Sequence, residues 1–316
     1  MKAVFVEIPG GPENLKYGDL PKPEPGPGQA LVKIAAAGVN FIDIYFRTGL
    51  YKADPPVVLG NEGAGTVESV GPGVTDVQPG DRVAYAMARG SYAEYAVVPA
   101  WQLVKLPEQV DFQTAAAAML QGMTAHYLTH STFPLQAGQS CLIHAAAGGI
   151  GLILVQMAKM LGARVVGTVG NEDKAQLAKD AGADEVVVYT KDDFVPKAKG
   201  MDVVYDSVGK STFLKSLDCL KPRGMMVTFG NASGPAPDFS PLLLSQKGSL
   251  YLTRPSLAAY TADSTELQWR AGDVLGWIAK GELKLHIHKV YALGDAAQAH
   301  RDLEGRGTTG KLILVP

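Results

Sequence analysis

The sequence predicts an α/β protein in which a β-rich domain is followed by a doubly wound parallel sheet. The first third of the 316 residues contains short strands punctuated by Gly and Pro, and the middle alternates apolar strands with helices. In the middle region, a Gly-rich turn joins one apolar strand to an apolar helix. Short strands at this spacing are typical of a compact barrel-like domain. Strand–helix alternation gives right-handed βαβ units and a parallel sheet.

The β-rich character of the first third rests on five short strand patterns bounded by turn residues. Strands are predicted at residues 1–7, 30–34, 65–71, 81–85 and 92–98. The first of them has no long apolar centre, so we interpret it as a strand and not as a signal peptide. These strands predict a mostly β first domain.

The pattern changes near Asp111, where the Ala-rich stretch 112–130 predicts one or two helices. Strands are then predicted at 141–144, 164–169, 185–189, 201–205 and 224–229, with helices at 150–161, 173–181 and 211–220. A helix at 264–280 and a strand at 311–315 are expected to return to the first domain. We therefore predict domain limits of 1–123, 124–254 and 255–316.

Composition excludes several classes of protein. Apolar residues make up 47% of the chain and charged residues 19%, which is ordinary for a globular protein. The net charge of −2 gives no reason to expect a nucleic acid or an anionic membrane as a partner. No apolar run is long enough to span a bilayer. The only two cysteines, Cys141 and Cys219, exclude a four-cysteine zinc site and fit reduced, buried thiols, so we expect a cytoplasmic protein.

The sharpest motif is the run HAAAGGIG at residues 144–151, between an apolar strand and an apolar helix. This is the context that a dinucleotide-binding fingerprint requires. Gly148 and Gly149 let the backbone approach a pyrophosphate, and Gly151 lets the helix pack closely on the sheet. Ala146 replaces the usual first Gly, and a simple packing turn is the alternative. The helix N-terminus offers free N–H groups to phosphates, so we favour nucleotide binding.

The turn after the second strand of the parallel sheet favours NADP(H) over NAD(H). NAD-binding sites carry an acidic residue there, which accepts from the ribose hydroxyl. Residues 168–171 read Thr-Val-Gly-Asn, with no acid, and Lys174 follows at the start of the next helix. A neutral turn with a nearby Lys suits a 2′-phosphate, although Lys174 could also be a solvated helix residue. Glu172 and Asp173 fit as first-turn acids, which the helix dipole favours.

Six motifs spread over the chain carry a resemblance to a known family. They are AGVNFID at 37–43, GNEGAG at 60–65, AAAGGIG at 145–151, VYDSVG at 204–209, FGNASG at 229–234 and GSLYLTRP at 248–255. With these motifs the chain resembles the zinc-independent, zeta-crystallin-like quinone oxidoreductases of the medium-chain dehydrogenase/reductase superfamily. The bacterial NADPH:quinone reductases are the most similar subgroup, and the resemblance extends over essentially the whole chain.

The resemblance implies a GroES-like catalytic domain, a Rossmann domain and NADPH-dependent hydride transfer to a quinone. It implies catalytic roles for Asn40, Tyr45 and Tyr51, with both tyrosines expected in a loop-like segment. The cofactor-binding residues that it implies are Phe41, Ile42, Asp43, Tyr127, Gly148, Gly149, Ile150, Gly170, Asn171, Lys174, Tyr189, Phe229, Gly230, Asn231, Arg254 and Arg306.

Zinc is not expected. Related alcohol dehydrogenases bind a catalytic zinc through Cys and His side chains, but Asn40 and Asn61 stand at the matching positions. His126 and His130 are four residues apart on a predicted helix, with no third ligand in the sequence. Without zinc, a simple carbonyl is hard to reduce because its developing alkoxide needs stabilisation. A quinone needs less, since hydride addition gives a delocalised hydroquinone anion.

Two alternatives stay open beside quinone reduction. One is reduction of an enone or enal, an activated alkene that takes hydride at its β-carbon. The other is a non-catalytic NADPH-binding protein. The sequence contains no obvious general acid, so Tyr45 and water are both candidate proton donors.

A homodimer is also expected. Residues 248–254 read as a strand late in the parallel sheet, where it can lie at an edge. An exposed apolar edge favours pairing with a second copy of the chain.

Overall fold

A computed structural model describes residues 1–305 and 307–316. It divides into two compact units. The first unit contains Met1–Met123 and Thr261–Pro316, and the second contains Thr124–Tyr260. The fold class predicted from the sequence, a β-rich domain plus a doubly wound sheet, is confirmed below for each unit.

The amino-terminal part of the first unit is rich in strands, as predicted. Its elements are β1 (Lys2–Val6), β2 (Lys16–Asp19), β3 (Gln29–Val39), α1 (Phe41–Thr48), β4 (Val57–Val58), β5 (Glu62–Val70), β6 (Arg82–Ala86), β7 (Tyr95–Pro99), β8 (Val104–Lys105) and the larger part of α2 (Phe112–Tyr127). The last four residues of α2 belong to the second unit.

The second unit alternates strands and helices. Its elements are β9 (Ser140–Ile143), α3 (Gly149–Met160), β10 (Arg164–Val169), α4 (Glu172–Asp180), β11 (Glu185–Val188), α5 (Phe194–Lys197), β12 (Met201–Asp206), α6 (Phe213–Leu217), β13 (Leu220–Thr228), α7 (Leu242–Gln246), β14 (Tyr251–Thr253) and α8 (Leu257–Tyr260). The chain then returns to the first unit, with α9 (Ser264–Ala279), β15 (Ile287–Ala292), α10 (Ala296–Glu304) and β16 (Lys311–Val315).

The large sheet of the first unit joins both ends of the chain. Within the described residues its strand order is β15-β16-β3-β5-β6-β8, and β7 also pairs with β3. The carboxyl-terminal strand β16 runs antiparallel to β3, with Leu312 opposite Val39 and Leu314 opposite Ala37. Apolar side chains such as Val32 and Leu314 are fully buried in the core of this unit. The carboxyl-terminal strand thus belongs to the same sheet as the strands of the amino-terminal part.

The sheet of the second unit is parallel throughout its described strands, in the order β11-β10-β9-β12-β13-β14. The order reverses at β9, because the chain continues to one side through β10 and to the other through β12. In parallel sheets, ligands bind beyond the carboxyl ends of the strands at such a reversal. The segment after β9 is therefore the structural candidate for a ligand-binding loop.

Two features differ from the sequence prediction. Tyr45 lies in α1 and not in the loop-like segment that we expected. The helix begins after Asn40, carries Asp43 in its first turn and ends at Gly49, which adopts a φ of 80°. These are ordinary start and stop signals, and the motif-based analysis overlooked them because the helix is only two turns long. The predicted helix at 112–130 ends as an α-helix at Tyr127 and continues as a π-helical turn, Leu128–Thr132.

Strand β14 lies at the edge of the parallel sheet, where the sequence led us to expect it. Its only described strand partner is β13, and the Tyr251 side chain is exposed.

Of the residues described, none forms a helix with the length and apolar character that a bilayer crossing requires.

Candidate functional site

The segment between β9 and α3 has the geometry of a phosphate-binding loop. Ala145 adopts a φ of 52°, a left-handed conformation that is uncommon for a residue with a side chain. Gly148 is the N-cap of α3 and has no side chain to occupy the free N–H groups of the first turn. A Cβ on Gly151 would overlap the carbonyl oxygen of Ala145 and lie 2.8 Å from the Cα of Ala146. The loop therefore folds back on the helix so closely that only Gly fits at position 151.

His144 fixes the start of this loop to two neighbouring elements. Its Nδ1 lies 2.8 Å from the Thr168 hydroxyl on β10, and its Nε2 lies 2.8 Å from the Ser216 hydroxyl on α6. The Ser216 hydroxyl donates to the carbonyl of Thr212, so it accepts from Nε2–H and leaves Nδ1 to accept from Thr168. Burial lowers the pKa of His144, which keeps the ring neutral. The sequence analysis did not single out this role.

The turn after β10 brings together the residues predicted to bind the 2′-phosphate. The Asn171 side chain accepts from the Lys174 backbone N–H at 2.9 Å and caps α4. The Tyr189 ring lies against Gly170, since a Cβ there would be 3.0 Å from the Tyr189 hydroxyl. Partial burial lowers the pKa of Lys174. An exposed Tyr and a capped helix start thus flank the neutral turn, and Lys174 follows in the first turn of α4.

Residues from the ends of β13 and β14 also meet within the second unit. The Arg254 guanidinium donates to the carbonyl oxygen of Gly230 at 3.3 Å. With its amide oxygen turned toward Arg254, the Asn231 side chain accepts from Nη2 at 3.2 Å. Phe229 and Gly230 are partly exposed. Arg254, Gly230 and Asn231, which the sequence analysis placed in one site, therefore form one cluster.

Tyr127 is buried, with 2% of its surface exposed, and its ring stacks on Tyr260 with centroids 4.4 Å apart. Arg306, also predicted to bind the cofactor, lies outside the described residues.

In the first unit, Asn40 belongs to a buried polar cluster with Glu62 and Lys311. The Lys311 Nζ lies 2.6 Å from Asn40 Oδ1 and 2.6 Å from Glu62 Oε2. The Asn40 amide nitrogen donates to the same Glu62 oxygen at 2.8 Å. Glu62 and Lys311 are thus an ion pair with almost no exposure to solvent.

Asp43 lies on the other side of Asn40 and is also fully buried. Its carboxylate accepts from the Asn40 backbone N–H at 2.9 Å, from the Asn61 amide at 2.7 Å and from the Tyr92 hydroxyl at 3.1 Å. All three donors are uncharged, so burial dominates and raises the pKa of Asp43 to about 6.

The polar cluster continues from Tyr92 toward the surface. Tyr92 OH lies 3.3 Å from His300 Nε2, and Arg47 Nη1 lies 3.3 Å from His300 Nδ1. Arg47 forms a bidentate ion pair with Glu304, with distances of 2.7 and 2.8 Å. Burial lowers the pKa of His300 to about 3. The sequence analysis missed these residues, because they come from distant parts of the chain.

Aromatic side chains gather beside α1. The rings of Tyr45 and Tyr51 meet edge to face at 5.3 Å, and Tyr51 also contacts Phe46 at 5.7 Å. Tyr51, Phe46 and Val57 are among the residues that line a cavity of about 270 Å³. Phe41 and Ile42, at the start of the helix, are partly exposed.

Asn40 and Asn61, which stand where related alcohol dehydrogenases carry zinc ligands, form hydrogen bonds with other side chains. Asn40 accepts from the Lys311 ammonium, and Asn61 donates to Asp43. In residues 1–305 and 307–316, no group of three or more His, Cys, Asp or Glu side chains is arranged to hold a metal. The His126 and His130 rings stack on each other at 4.2 Å.

Comparison with known proteins assigns the family. Residues 26–108 match the family model of the alcohol dehydrogenase GroES-like domain, and residues 181–314 match that of the zinc-binding dehydrogenases. The chain is 47% identical to a quinone oxidoreductase of Pseudomonas aeruginosa over 315 residues, which cover 97% of each chain. It is 41% identical to a 2-haloacrylate reductase of a Burkholderia species, over 99% of this chain and 98% of the other.

A solved structure of Escherichia coli quinone oxidoreductase complexed with NADPH is similar over 100% of both chains, with a TM-score of 0.98 and 42% identity. The chain belongs to the quinone oxidoreductase family. The predicted resemblance to this family of medium-chain dehydrogenases/reductases is therefore confirmed, as is the combination of a GroES-like and a Rossmann-type domain.

The main residues of the site that sequence reasoning missed are His144, Glu62 and Lys311. Weak signals for all three were present. His144 ends a strand directly before the Gly-rich loop, Glu62 stands between Asn61 and Gly63, and Lys311 opens an otherwise apolar strand. Each is a polar side chain at a position where the pattern predicts burial, which requires a partner. The identity of the partner is not visible in the sequence.

Proposed function

We propose that this chain is an oxidoreductase that uses NADPH to reduce quinones by hydride transfer. The observation that carries the proposal is the pairing of full-length family membership with an intact phosphate loop and a neutral, Lys-bearing turn after β10. The Escherichia coli relative was solved in complex with NADPH, and the Pseudomonas relative is a quinone oxidoreductase.

The second unit fits the cofactor on its own chemistry. The free N–H groups at the start of α3 suit the pyrophosphate, and Gly148, Gly149 and Ile150 would hold it there. Lys174, with Gly170, Asn171 and Tyr189, would hold the 2′-phosphate. When bound, NADPH supplies the hydride from its nicotinamide ring.

For the remaining residues we propose the roles that the resemblance implied. Asn40, Tyr45 and Tyr51 act on the nicotinamide and the acceptor. Among the described residues, the other contributors to cofactor binding are Phe41, Ile42, Asp43, Tyr127, Phe229, Gly230, Asn231 and Arg254. Because the Asp43 carboxylate is buried and bonded to the Asn40 backbone, its contribution is to hold Asn40 in place. We also retain the functional domain limits of 1–123, 124–254 and 255–316.

Catalysis without zinc is part of this proposal. At the positions where related dehydrogenases carry zinc ligands, this chain has amides, and one of them is bonded to an ammonium group. The positive charge of Lys311 opposes a divalent cation at that place. The purified protein should contain no stoichiometric zinc by elemental analysis, and extensive chelation should leave its activity unchanged. One tightly bound zinc per chain would contradict the proposal.

The second candidate function is reduction of an activated alkene. The similarity to a 2-haloacrylate reductase favours it, since that relative is 41% identical over nearly the whole chain. The test is a spectrophotometric screen of NADPH oxidation with quinones, enones and haloacrylates. Quinone reduction predicts the highest kcat/KM with a quinone. A preference for an alkene supports the second candidate, and NADPH binding without turnover of any acceptor would indicate a non-catalytic protein.

We further propose that the chain forms a homodimer in the cytoplasm, through the exposed edge of β14. Tyr251 on this edge is 58% exposed, and a two-fold pairing of the edge would cover it. Light scattering at micromolar concentration should give twice the chain mass, and a monomer mass would refute this assembly.

A further inference from the structure

A buried lysine of the last strand reaches the side chain of Asn40. Lys311 is the first residue of β16. Because β16 pairs with β3, Lys311 lies next to Asn40, the residue that follows β3. Its side chain is 2% exposed, and that of its ion-pair partner Glu62 is 0% exposed. Neither residue was assigned above to the binding or the reduction of substrate.

The two charges fix the amide of Asn40 in one orientation. Its oxygen accepts from Lys311 at 2.6 Å, and its nitrogen donates to Glu62 at 2.8 Å and more weakly to the carbonyl of Gly38 at 3.3 Å. If the amide turned over, its NH2 group would face the ammonium and its oxygen would face the carboxylate. Both contacts would be repulsive, and a buried charge that loses its hydrogen bond is costly.

The ion pair is itself held from a second side. The other Glu62 oxygen accepts from the Leu120 backbone N–H in α2 at 2.7 Å. Gly38 leaves no free space beside the pair, because a Cβ there would lie 2.8 Å from the Lys311 Cε. Lys311 and Glu62 are therefore confined, and so is the amide between them.

We propose that Lys311 is a positioning residue of the reaction, which acts by fixing the side-chain amide of Asn40. The inference rests on the proposed function, in which Asn40 contacts the nicotinamide. Asn40 Oδ1 has two lone pairs, and Lys311 uses one of them. The other can accept from an amide N–H, such as the carboxamide of a nicotinamide. Lys311 thus determines which lone pair of Asn40 Oδ1 is available to the cofactor.

The test compares Lys311→Met with the double variant Lys311→Met/Glu62→Gln. The double variant removes both charges, so no unpaired carboxylate is left in the core. We expect kcat with a quinone to fall about tenfold to a hundredfold in both variants, with the Kd for NADPH changed less than about threefold. Lys105→Met is the matched control, because it removes an exposed lysine that pairs with the partly buried Asp81 in the same unit, and it should leave kcat unchanged.

Recovery of wild-type kcat in the double variant would overturn the proposal, because Lys311 would then only neutralise Glu62. A second measurement needs no turnover: NMR of protein with 15N-labelled asparagine, with the Asn40 signal assigned by its loss in Asn40→Asp. The Asn40 side-chain amide protons should exchange slowly in the wild type and at least tenfold faster in the double variant. Unchanged exchange would also overturn the proposal. If wild-type protein reduces no quinone, the proposed function fails, and the NMR result still decides the role of Lys311.

Discussion

The phosphate loop of the second unit and the polar cluster around Asn40 in the first unit hold polar groups by different means. The loop at 145–151 offers main-chain N–H groups, and its shape depends on the absence of a side chain at Gly151. The cluster around Asn40 uses side chains from β5, α1 and β16, which are buried and bonded to one another. The loop should therefore be sensitive to added volume, whereas the cluster should be sensitive to lost charge or lost hydrogen bonds.

The largest expected effect is that of a side chain at position 151. Gly151→Val would force the loop away from α3, because even a Cβ overlaps the Ala145 carbonyl. We expect NADPH affinity to fall at least a hundredfold, measured by titration of nicotinamide fluorescence.

Gly148→Ala is the matched control within the loop, because a Cβ there would lie 3.1 Å from the Ala145 oxygen and needs only a small shift. We expect it to change the Kd less than about fivefold. Equal losses in the two variants would show that the backbone shape at position 151 is not what binds the cofactor. The three tryptophans, Trp101, Trp269 and Trp277, all lie in the first unit, so their fluorescence checks that this unit stays folded.

The second prediction concerns the charge of Asp43. Its pKa of about 6 in the folded protein lies above the unfolded value of about 3.9, so folding favours its protonated form. Its contribution to stability is fully present below about pH 4 and is lost as the pH rises through 6. A difference of about 2 pKa units corresponds to about 3 kcal/mol. His300 has a pKa of about 3 in the folded protein and about 6.5 in the unfolded chain, so its own contribution to stability rises with pH over this range. That contribution is common to the wild type and to a variant at position 43, so it cancels in their difference.

Asp43→Asn removes this titration. Between pH 4 and pH 7, the free energy of unfolding of the wild type should fall by about 3 kcal/mol relative to that of the variant. The altered hydrogen bonds of the variant add a difference that does not depend on pH. Urea unfolding followed by tryptophan fluorescence measures the first unit, which contains both Asp43 and the three tryptophans. Parallel stability curves for the two proteins across this pH range would show that Asp43 is ionised throughout.

The third prediction concerns Lys174, the charged side chain that we assign to the 2′-phosphate. A charge-assisted hydrogen bond is worth about 1.5–3 kcal/mol, so Lys174→Ala should lower kcat/KM for NADPH about tenfold to a hundredfold. NADH has no phosphate at that place, and its kcat/KM should barely change. A parallel fall with both cofactors would make Lys174 a structural residue, and a wild-type preference for NADH would contradict our interpretation of the turn after β10.

The smallest effect separates capping from charge at the same turn. Asn171→Ala removes the cap of α4 and should cost about 1 kcal/mol of stability, measured by thermal unfolding. Asn171→Asp keeps a capping oxygen and should keep that stability, but its charge should repel a 2′-phosphate and lower the preference for NADPH over NADH. If Asn171→Asp leaves the cofactor preference unchanged, the phosphate does not bind near this turn.

Local patterns were sufficient for the strands and the Gly-rich loop of the second unit, but not for its short helices or for the contacts of His144. Strand β10 and its neighbours are apolar runs between turns, and the phosphate loop depends on glycines that are adjacent in the sequence. The turn that carries Asn171 and Lys174 is also local, since both side chains lie within four residues. Short-range periodicity and turn chemistry were therefore enough to predict the local structure of this region.

The first unit was less predictable in its details. The helix at Phe41–Thr48 was missed, although Asn40 and Gly49 mark its two ends. The aromatic contacts between Tyr45 and Tyr51 follow from that helix, so they could not be predicted from an assumed loop. Two-turn helices have weak periodicity, and packing decides whether they form.

The sequence by itself determined the fold class, the family, the phosphate loop and the neutral turn after β10, because each depends on residues close together in the chain. Tertiary structure alone decided what surrounds Asn40. Its partner Glu62 is 22 residues away and Lys311 is 271 residues away. These side chains meet because the last strand pairs with β3, and a buried ammonium is stable only where the fold supplies both a carboxylate and an amide oxygen.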